Sequence, residues 1–549
     1  MKKSYLPNTI LGCILFICAA LTINAKAAAS YNSFLTDDCS PSKANNFQVD
    51  INCKGTSNLQ STVPLIISEF RLRGPNGADD EFIEIYNQAT ATHVVAASDA
   101  SAGYGIAASD GTTRCIIPNG TSIPSHGHYL CVNSVGYGLG AYPAGNSGAT
   151  ATGNATYTTD IADNAGIAIF NNATGGASYS VANRFDAVGS TSEADTTYRE
   201  GAGYPAITPF SIDYSWARLP IGGTQENDDT IYPLTPFPVD NDDNAADFLF
   251  LDTNGTSAGG GQRLGVPGPE NLSSPISAVV QPIRTLLDPC FTLGAVPNRV
   301  RDFTSDPGNN SSSGTITLNR TFTNSSGVAM TRLRFRILKL TTFPATPTNA
   351  DLRPRTSGNV VVNVDRPPCG VGNSNITVFG TTLEEPPMQF NGGGWNSTMS
   401  SDTVTLGTPL ANGASIDVGF LFGIQQTGDF AIVIAAEALP RGGAIWWVQG
   451  TTDSGSRVNA ESGPTAANVS VSGKVSDSFG NAIPRATVQI TDSNGATRTV
   501  KTTSFGNYKF DGVRSGETYI FNVSSKQYQF TPQVVSIGDD LAELNFTAQ

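Results

Sequence analysis

The chain has 549 residues, a length that suits about three or four domains; 14% of its residues are charged and 39% hydrophobic, with 57 Gly, 32 Pro and three His. Few charges among many Gly, Thr, Ser and Asn disfavour long helices and exclude a coiled coil or helical repeat. One run alone is apolar enough to span a bilayer, which excludes a polytopic membrane protein.

That run is N-terminal. Lys2 and Lys3 precede the apolar stretch Ile10 to Ile23, and Ala25-Lys26-Ala27 supplies a small-residue cleavage site. The pattern predicts a secretory signal peptide over 1–27, with an uncleaved anchor as the alternative. Cys13 opens the apolar run instead of closing it, which speaks against lipid attachment there. Cleavage removes three lysines and no acid, taking the formal charge from −14 to −17. No Lys/Arg cluster remains, so nucleic acid is excluded as a partner, and the same deficit argues against anionic lipid surfaces. Six cysteines remain: Cys39, Cys53, Cys115, Cys131, Cys290 and Cys369. An even count behind a signal peptide implies disulfides in an oxidising compartment. Proximity suggests Cys39–Cys53, Cys115–Cys131 and Cys290–Cys369, although sequence leaves the connectivity open. No C-x-x-C pair points to redox catalysis or structural zinc.

Residues 28–61 are polar and aperiodic and read as a flexible N-terminal segment. Leu65–Phe70 reads as a strand, Gly74–Gly77 as a turn, and Glu81–Asn87 as a half-buried strand of alternating character. Further landmarks are Ser215-Trp216-Ala217-Arg218-Leu219-Pro220, Asp242-Asp243-Asn244-Ala245-Ala246-Asp247-Phe248 and Gly265-Val266-Pro267-Gly268-Pro269-Glu270-Asn271. With Ser68-Glu69 and Asp80-Glu81-Phe82-Ile83-Glu84-Ile85-Tyr86-Asn87, they resemble the lamin-tail domain over about 62–273, Phe82 standing at that family's usual Trp. The resemblance implies an immunoglobulin-like β-sandwich and leaves function open.

Residues 274–285 read as a linker. From 286 to 450 a second strand-rich block follows, with Thr315–Phe322 and Val328–Leu340 as a hairpin about Asn324-Ser325-Ser326-Gly327. Strands at Ile376–Phe379, Ile416–Phe422 and Phe430–Ala436, separated by turn clusters, indicate an unassigned β-sandwich. Residues 451–467 are polar and Gly/Ser-rich and read as a second linker. In 468–549, the stretches Gly473-Lys474-Val475-Ser476-Asp477, Gly480, Ile483-Pro484-Arg485-Ala486-Thr487-Val488, Thr503-Ser504-Phe505-Gly506-Asn507-Tyr508-Lys509-Phe510 and Gly516-Glu517-Thr518-Tyr519 resemble the carboxypeptidase regulatory-like domain. Ser504 stands where that family usually has Asp. The resemblance implies a transthyretin-like sandwich without catalytic residues, with Gly506 in a turn and Tyr508 as a buried ring. The expected fold class is therefore all-β, a tandem of immunoglobulin-like and transthyretin-like β-sandwiches joined by flexible linkers.

The candidate chemistry is sparse. Gly255-Thr256-Ser257-Ala258-Gly259 fits a nucleophile elbow, but His93, His126 and His128 all lie upstream, against the order that elbow requires. His126 and His128 at i, i+2 would share a strand face and could hold a metal, unless Cys131 is oxidised. Asp240, Asp242, Asn244 and Asp247 offer oxygens for calcium, but Ala245 and Leu251 break the EF-hand rule. Asp79, Asp80, Glu81 and Glu84 form another acidic group, with Glu81 and Glu84 on opposite strand faces. Trp446-Trp447 and Trp395 could stack sugars, although adjacent strand residues face opposite ways. Lys474, Glu517 and Asn545 resemble the triad of intramolecular isopeptide bonds in pilin-type sandwiches.

None of these specifies a catalytic, cofactor or metal site. The expectation is a bacterial-type, non-catalytic binding or scaffolding protein of adhesion type. It would be secreted or on the cell surface, with the periplasm as alternative, and carry no membrane span after signal cleavage. Its partner would be a cell-envelope polymer or an extracellular protein. The competing readings are a carbohydrate-binding accessory protein and a hydrolase with its site in 286–450.

Overall fold

The computed structural model describes residues 63–208, 211–220, 237–255, 261, 263–277, 285–386, 393–440, 445–446, 460–464, 468–492, 495–514, 517–537 and 541–549. The expected signal peptide, the 28–61 segment and the Cys39–Cys53 pair lie outside them, as do Ser257 and Trp447. Almost every regular element is a strand, and no helix among the described residues is long and apolar enough to cross a membrane.

The first block is built on Leu65–Arg71, an apolar strand buried at every residue. It pairs antiparallel with Phe82–Asn87 on one side and Tyr214–Arg218 on the other. Phe248–Asp252, His128–Asn133 and Ala155–Tyr157 extend this to six strands. A second sheet, in the order Arg184–Val188, Ile167–Phe170, Gly103–Ala108, Thr113–Pro118, closes over it. Between the two lie Ile67, Phe70, Ile85, Ile106, Ile169 and Trp216. Cys115 on one sheet is bonded to Cys131 on the other, so the disulfide clamps the sandwich across its core. The pair encloses a 16-residue separation. Its double replacement by serine is expected to lower stability by about 3 kcal/mol, read as a shift in urea midpoint. An unchanged midpoint would rule out a stabilising role.

In the second block Thr315–Asn324 and Arg332–Leu340 do not pair as the expected hairpin. Thr315–Asn324 pairs with Ser415–Gln426 over nine positions, whereas Arg332–Leu340 pairs with Asp429–Leu439 in the opposite sheet. The turn is pulled open from outside: Asn324 Nδ2 donates to Val328 O and also to Leu410 O (2.7 Å), and Met330 bridges Leu410. The chain therefore arches from one sheet to the other around Phe322, Phe335 and Phe420. Cys290 is bonded to Cys369.

Both segments expected as linkers are partly paired. Ile276 bridges Ala438, and Ala460–Pro464 adds an edge strand along Asp429–Val433. Backbone pairing explains this: Ile276 is also buried, whereas the polar Ala460–Pro464 stretch carries no hydrophobic signal of its pairing.

The C-terminal block has a three-stranded sheet (Asn507–Arg514, Asn468–Ser476, Phe546–Thr547) and a four-stranded sheet (Thr497–Lys501, Thr487–Thr491, Glu517–Ser524, Gln533–Ile537). Tyr508 is buried, its hydroxyl donating to Leu544 O at 2.6 Å. Gly506 takes φ +78°, and a side chain there would meet Val475 O at 2.6 Å, so the turn requires glycine.

Candidate functional site: a buried ionic junction

The strand Phe82–Asn87 is buried along its whole length, not half-solvated as its alternation suggested. Ile83 and Ile85 face the sandwich core. The opposite face, carrying Glu84 and Tyr86, lies under the second block. The two blocks also join through main chain: Trp395 N donates to Leu264 O (3.0 Å) and Val266 N to Trp395 O (2.9 Å). Leu251 of the first block belongs to the core of the second.

Charged side chains converge in this junction. Arg334 and Arg336, two apart on one strand, share a face and both reach Glu437 on the neighbouring strand. Arg334 Nη2 lies 2.6 Å from Glu437 Oε2 and Arg336 Nε 2.8 Å from Oε1. From the first block, Glu270 Oε1 pairs with Arg334 and, at 2.9 Å, with Arg336. His128 stands between two carboxylates, Nδ1 3.0 Å from Glu84 Oε1 and Nε2 2.8 Å from Glu270 Oε2. Carboxylates only accept, so both contacts are hydrogen bonds only when both ring nitrogens carry protons. Glu84 also accepts from Ser68 Oγ (2.5 Å) and Glu270 N (2.6 Å).

Electrostatics divide these acids. Burial raises Glu437, but the charges of Arg334 and Arg336 outweigh it and hold the carboxyl below its usual range. Glu69 Oε1 accepts from Gly268 N at 2.9 Å; burial, then the charge of Glu84, pushes its carboxyl up to about 7. The cavity here measures about 80 Å³ and is bounded by Glu69, Glu84, His126, His128, Glu270 and Glu437, among others. That volume holds a few waters, far below the ~300–1,000 Å³ of a small-molecule pocket.

A second cluster lies within the first block. Arg218 Nη1 meets Asp240 (3.0 Å) and Asp247 (2.9 Å), Nη2 meets Asp186 (2.7 Å), and Nε donates to Ile67 O (2.8 Å). Two of the sequence landmarks, the Arg218 strand and the Asp247 helix, thus meet in space. Glu200 pairs with Arg184 at 2.8 Å, and carboxylate oxygens of Glu200, Asp186 and Asp240 lie within 4.8 Å of one another. Burial, then the charges of Asp186 and Asp240, pushes Glu200 up to about 10, while burial raises Asp186 to about 6 against Arg218. Asp186 Oδ1 and Glu200 Oε2 are both buried without a hydrogen-bond donor, an arrangement that a proton held on Glu200 would relieve.

The sequence candidates fare unequally. His126 and His128 border one cavity but are turned to different partners: His126 Nδ1 meets Tyr86 Oη at 2.8 Å and its ring stacks on Phe237. Oxygen or nitrogen atoms of Glu84, His128 and Glu270 lie within 4.8 Å of one another, as do those of Asp186, Glu200 and Asp240, so these sets have ligand-type atoms. In the first, Arg334 and Arg336 hold Glu270 while Glu84 is engaged by Ser68 Oγ and Glu270 N; in the second, Arg218 holds Asp186 and Asp240, and Arg184 holds Glu200. The 240–247 loop does not converge on a cation. Asp243 caps the helix Asn244–Asp247, Asn244 Oδ1 accepts from Gly189 N and Glu200 N, and Asp240 and Asp247 hold Arg218. Asp80 pairs with Arg71, and Glu81 accepts from Ile161 N, away from Glu84. Trp395 is buried and forms no sugar platform. Lys474 meets Asn545 through its main-chain N–H, 2.7 Å from Asn545 Oδ1, and its side chain is exposed, unlike an isopeptide lysine.

Sequence reading missed Arg334, Arg336 and Glu437. The available signal was Arg332-Leu333-Arg334-Phe335-Arg336, three like charges on one strand face in a chain poor in charge.

Residues 470–549 match the family model described as carboxypeptidase regulatory-like domain, in keeping with the landmarks read there. No curated protein matches the chain. Similar solved structures include the pilus 2b backbone protein of group B streptococcus (12% identity, 46% of this chain, 98% of that chain, TM-score 0.18). Others are the major pilin SpaD of Corynebacterium diphtheriae (9%, 46%, 68%, 0.19) and the major pilin subunit BcpA of Bacillus cereus (12%, 43%, 64%, 0.14). Likeness at this level carries no argument about function; the β-sandwich architecture rests on the sheets themselves.

Proposed function

We propose that the chain is a non-catalytic, exported scaffolding protein of the cell envelope, in which the lamin-tail-like block and the unassigned block form one stiff unit and the regulatory-like block a separate head. The observation that carries this reading is the junction. Its carboxylates, guanidiniums and imidazole are paired with one another across the two blocks, around a space too small for a substrate. Such a joint fixes two bodies in one orientation, as a spacer or display element requires. The six-cysteine pattern and the N-terminal apolar run support export. The hydrolase alternative in 286–450 calls for a carboxyl of raised pKa; there Asp302 and Glu437 both shift downward.

Protease shaving of intact producing cells tests the reading, with periplasm and supernatant assayed in parallel. The expected result is release of a large fragment holding both first blocks together, with cutting between Pro464 and the C-terminal block. Protection until the outer envelope is opened would remove the surface role. Cutting between the two blocks, near 278–284, with the halves separating in solution, would remove the stiff-unit reading.

A further inference from the structure

The tetrapeptide Ser-Phe-Gly-Asn occurs twice in the C-terminal block, as Ser478–Asn481 and Ser504–Asn507. The first follows strand Asn468–Ser476 and the second enters strand Asn507–Arg514. These strands pair, so the two turns are neighbours: Val475 N donates to Gly506 O (2.9 Å), and a Cβ on Gly506 would lie 3.2 Å from that of Ala482. Both glycines have left-handed φ, +83° and +78°. Each turn is tied inward by its polar groups. The Asp477 carboxylate accepts from Phe479 N and Asn481 N, and Thr503 Oγ1 from Phe505 N and Asn507 N.

The rings point the other way. Phe479 is 88% and Phe505 74% exposed, while Tyr508, Phe510, Phe521 and Phe546 of the same block are buried. Two phenyl rings held in water on adjacent turn apices carry a hydration cost that core packing does not explain. Exposed basic residues lie close by along the chain and the strand pair. Lys474 is opposite Asn507 in the strand pair, Arg485 N bonds Thr502 O, and Lys501 lies two residues before Thr503. The one acid in the turns, Asp477, is folded onto its own backbone. Residues 468–549 contain seven basic and seven acidic residues, so the chain's net negative charge resides outside this block. The charge argument against anionic lipid therefore does not reach this tip.

Convex apices suit a yielding partner. A rigid small ligand needs a concave wall, whereas protruding rings enter the headgroup–acyl boundary of a bilayer without one, and a basic collar meets anionic headgroups. We propose that the paired turns at Phe479 and Phe505 are a docking tip for an anionic lipid surface, with both rings inserted and Lys474, Arg485 and Lys501 against the headgroups. This goes beyond the scaffolding reading and is tested on the purified chain, independently of where cells place it.

The test is co-sedimentation of the full chain with vesicles of phosphatidylglycerol in phosphatidylcholine, and of phosphatidylcholine alone. Wild type is expected to bind the anionic vesicles, more weakly as salt rises. F479A/F505A should bind about a hundredfold more weakly, about tenfold per ring. K474E/K501E should lose about tenfold and most of the salt dependence. The substituted side chains are solvent-exposed, so thermal melts should match wild type. Absence of wild-type binding at low salt would overturn the proposal, as would undiminished binding by F479A/F505A. Ring-dependent retention on isolated envelope polysaccharide, with none on vesicles, would overturn it in favour of a polymer.

Discussion

Replacing Glu437 with alanine is expected to destabilise the first two blocks together by about 3–5 kcal/mol. The carboxylate is the shared partner of Arg334 and Arg336, and both arginines are buried. Its loss leaves two guanidiniums in a low-dielectric junction with Glu270 as the one remaining close carboxylate. Breaking one member of a buried set costs more than the set contributes as a whole, because the survivors keep their desolvation cost. The measurement is urea unfolding followed by tryptophan fluorescence, with protease cutting near 278–284 as a second readout. The C-terminal block has its own core and no tryptophan; its transition, followed by far-UV circular dichroism, should be unchanged. A change under about 1 kcal/mol, the scale of an exposed pair, would mean that water enters the junction and that the blocks are not locked.

Replacing Glu200 with glutamine should act in the opposite direction, by an amount that grows as pH rises above about 4.5. The folded-state pKa of Glu200 is raised to about 10, above its unfolded value. Its contribution to stability is therefore fully present below about 4.5 and is lost as pH rises through about 10. Glutamine retains an acceptor for Arg184 and supplies an N–H toward Asp186 Oδ1 without a proton to lose. At pH 4 variant and wild type should be about equally stable. At pH 9 the variant should be more stable by roughly 2–4 kcal/mol. Parallel stability–pH curves would show that Asp186 and Glu200 share no proton.

Much of the architecture was legible because local rules were obeyed. The apolar run at Leu65–Phe70, the alternating run at Glu81–Asn87, the Gly74–Gly77 turn and the turns at Gly480 and Gly506 became the strands and turns they announce. Cys115–Cys131 and Cys290–Cys369 were the nearest-neighbour pairings. What stayed hidden was long-range. Alternation states which side chains share a face, not whether that face meets water, so Glu84 falls on the solvated side of a half-buried strand and Arg334 and Arg336 are not singled out. Their burial depends on a second sheet more than 240 residues away along the chain. The Thr315–Leu340 hairpin failed for a related reason: Asn324 finds its second acceptor at Leu410, and no local pattern encodes that partner. The polar stretch at Ala460–Pro464 pairs through main-chain groups, which every residue type except proline carries in full.

The junction also bears on how such a chain can be assembled from parts over time. A recombination breakpoint near residue 274, where composition suggests a boundary, would hand each descendant half of a charge set: Glu84, His128 and Glu270 on one, Arg334, Arg336 and Glu437 on the other. Either half would inherit an unpaired group on what had been its interior. A breakpoint at 465–467 separates no such set. The first two blocks are therefore expected to travel between proteins as one cassette, and the C-terminal block to be exchanged freely.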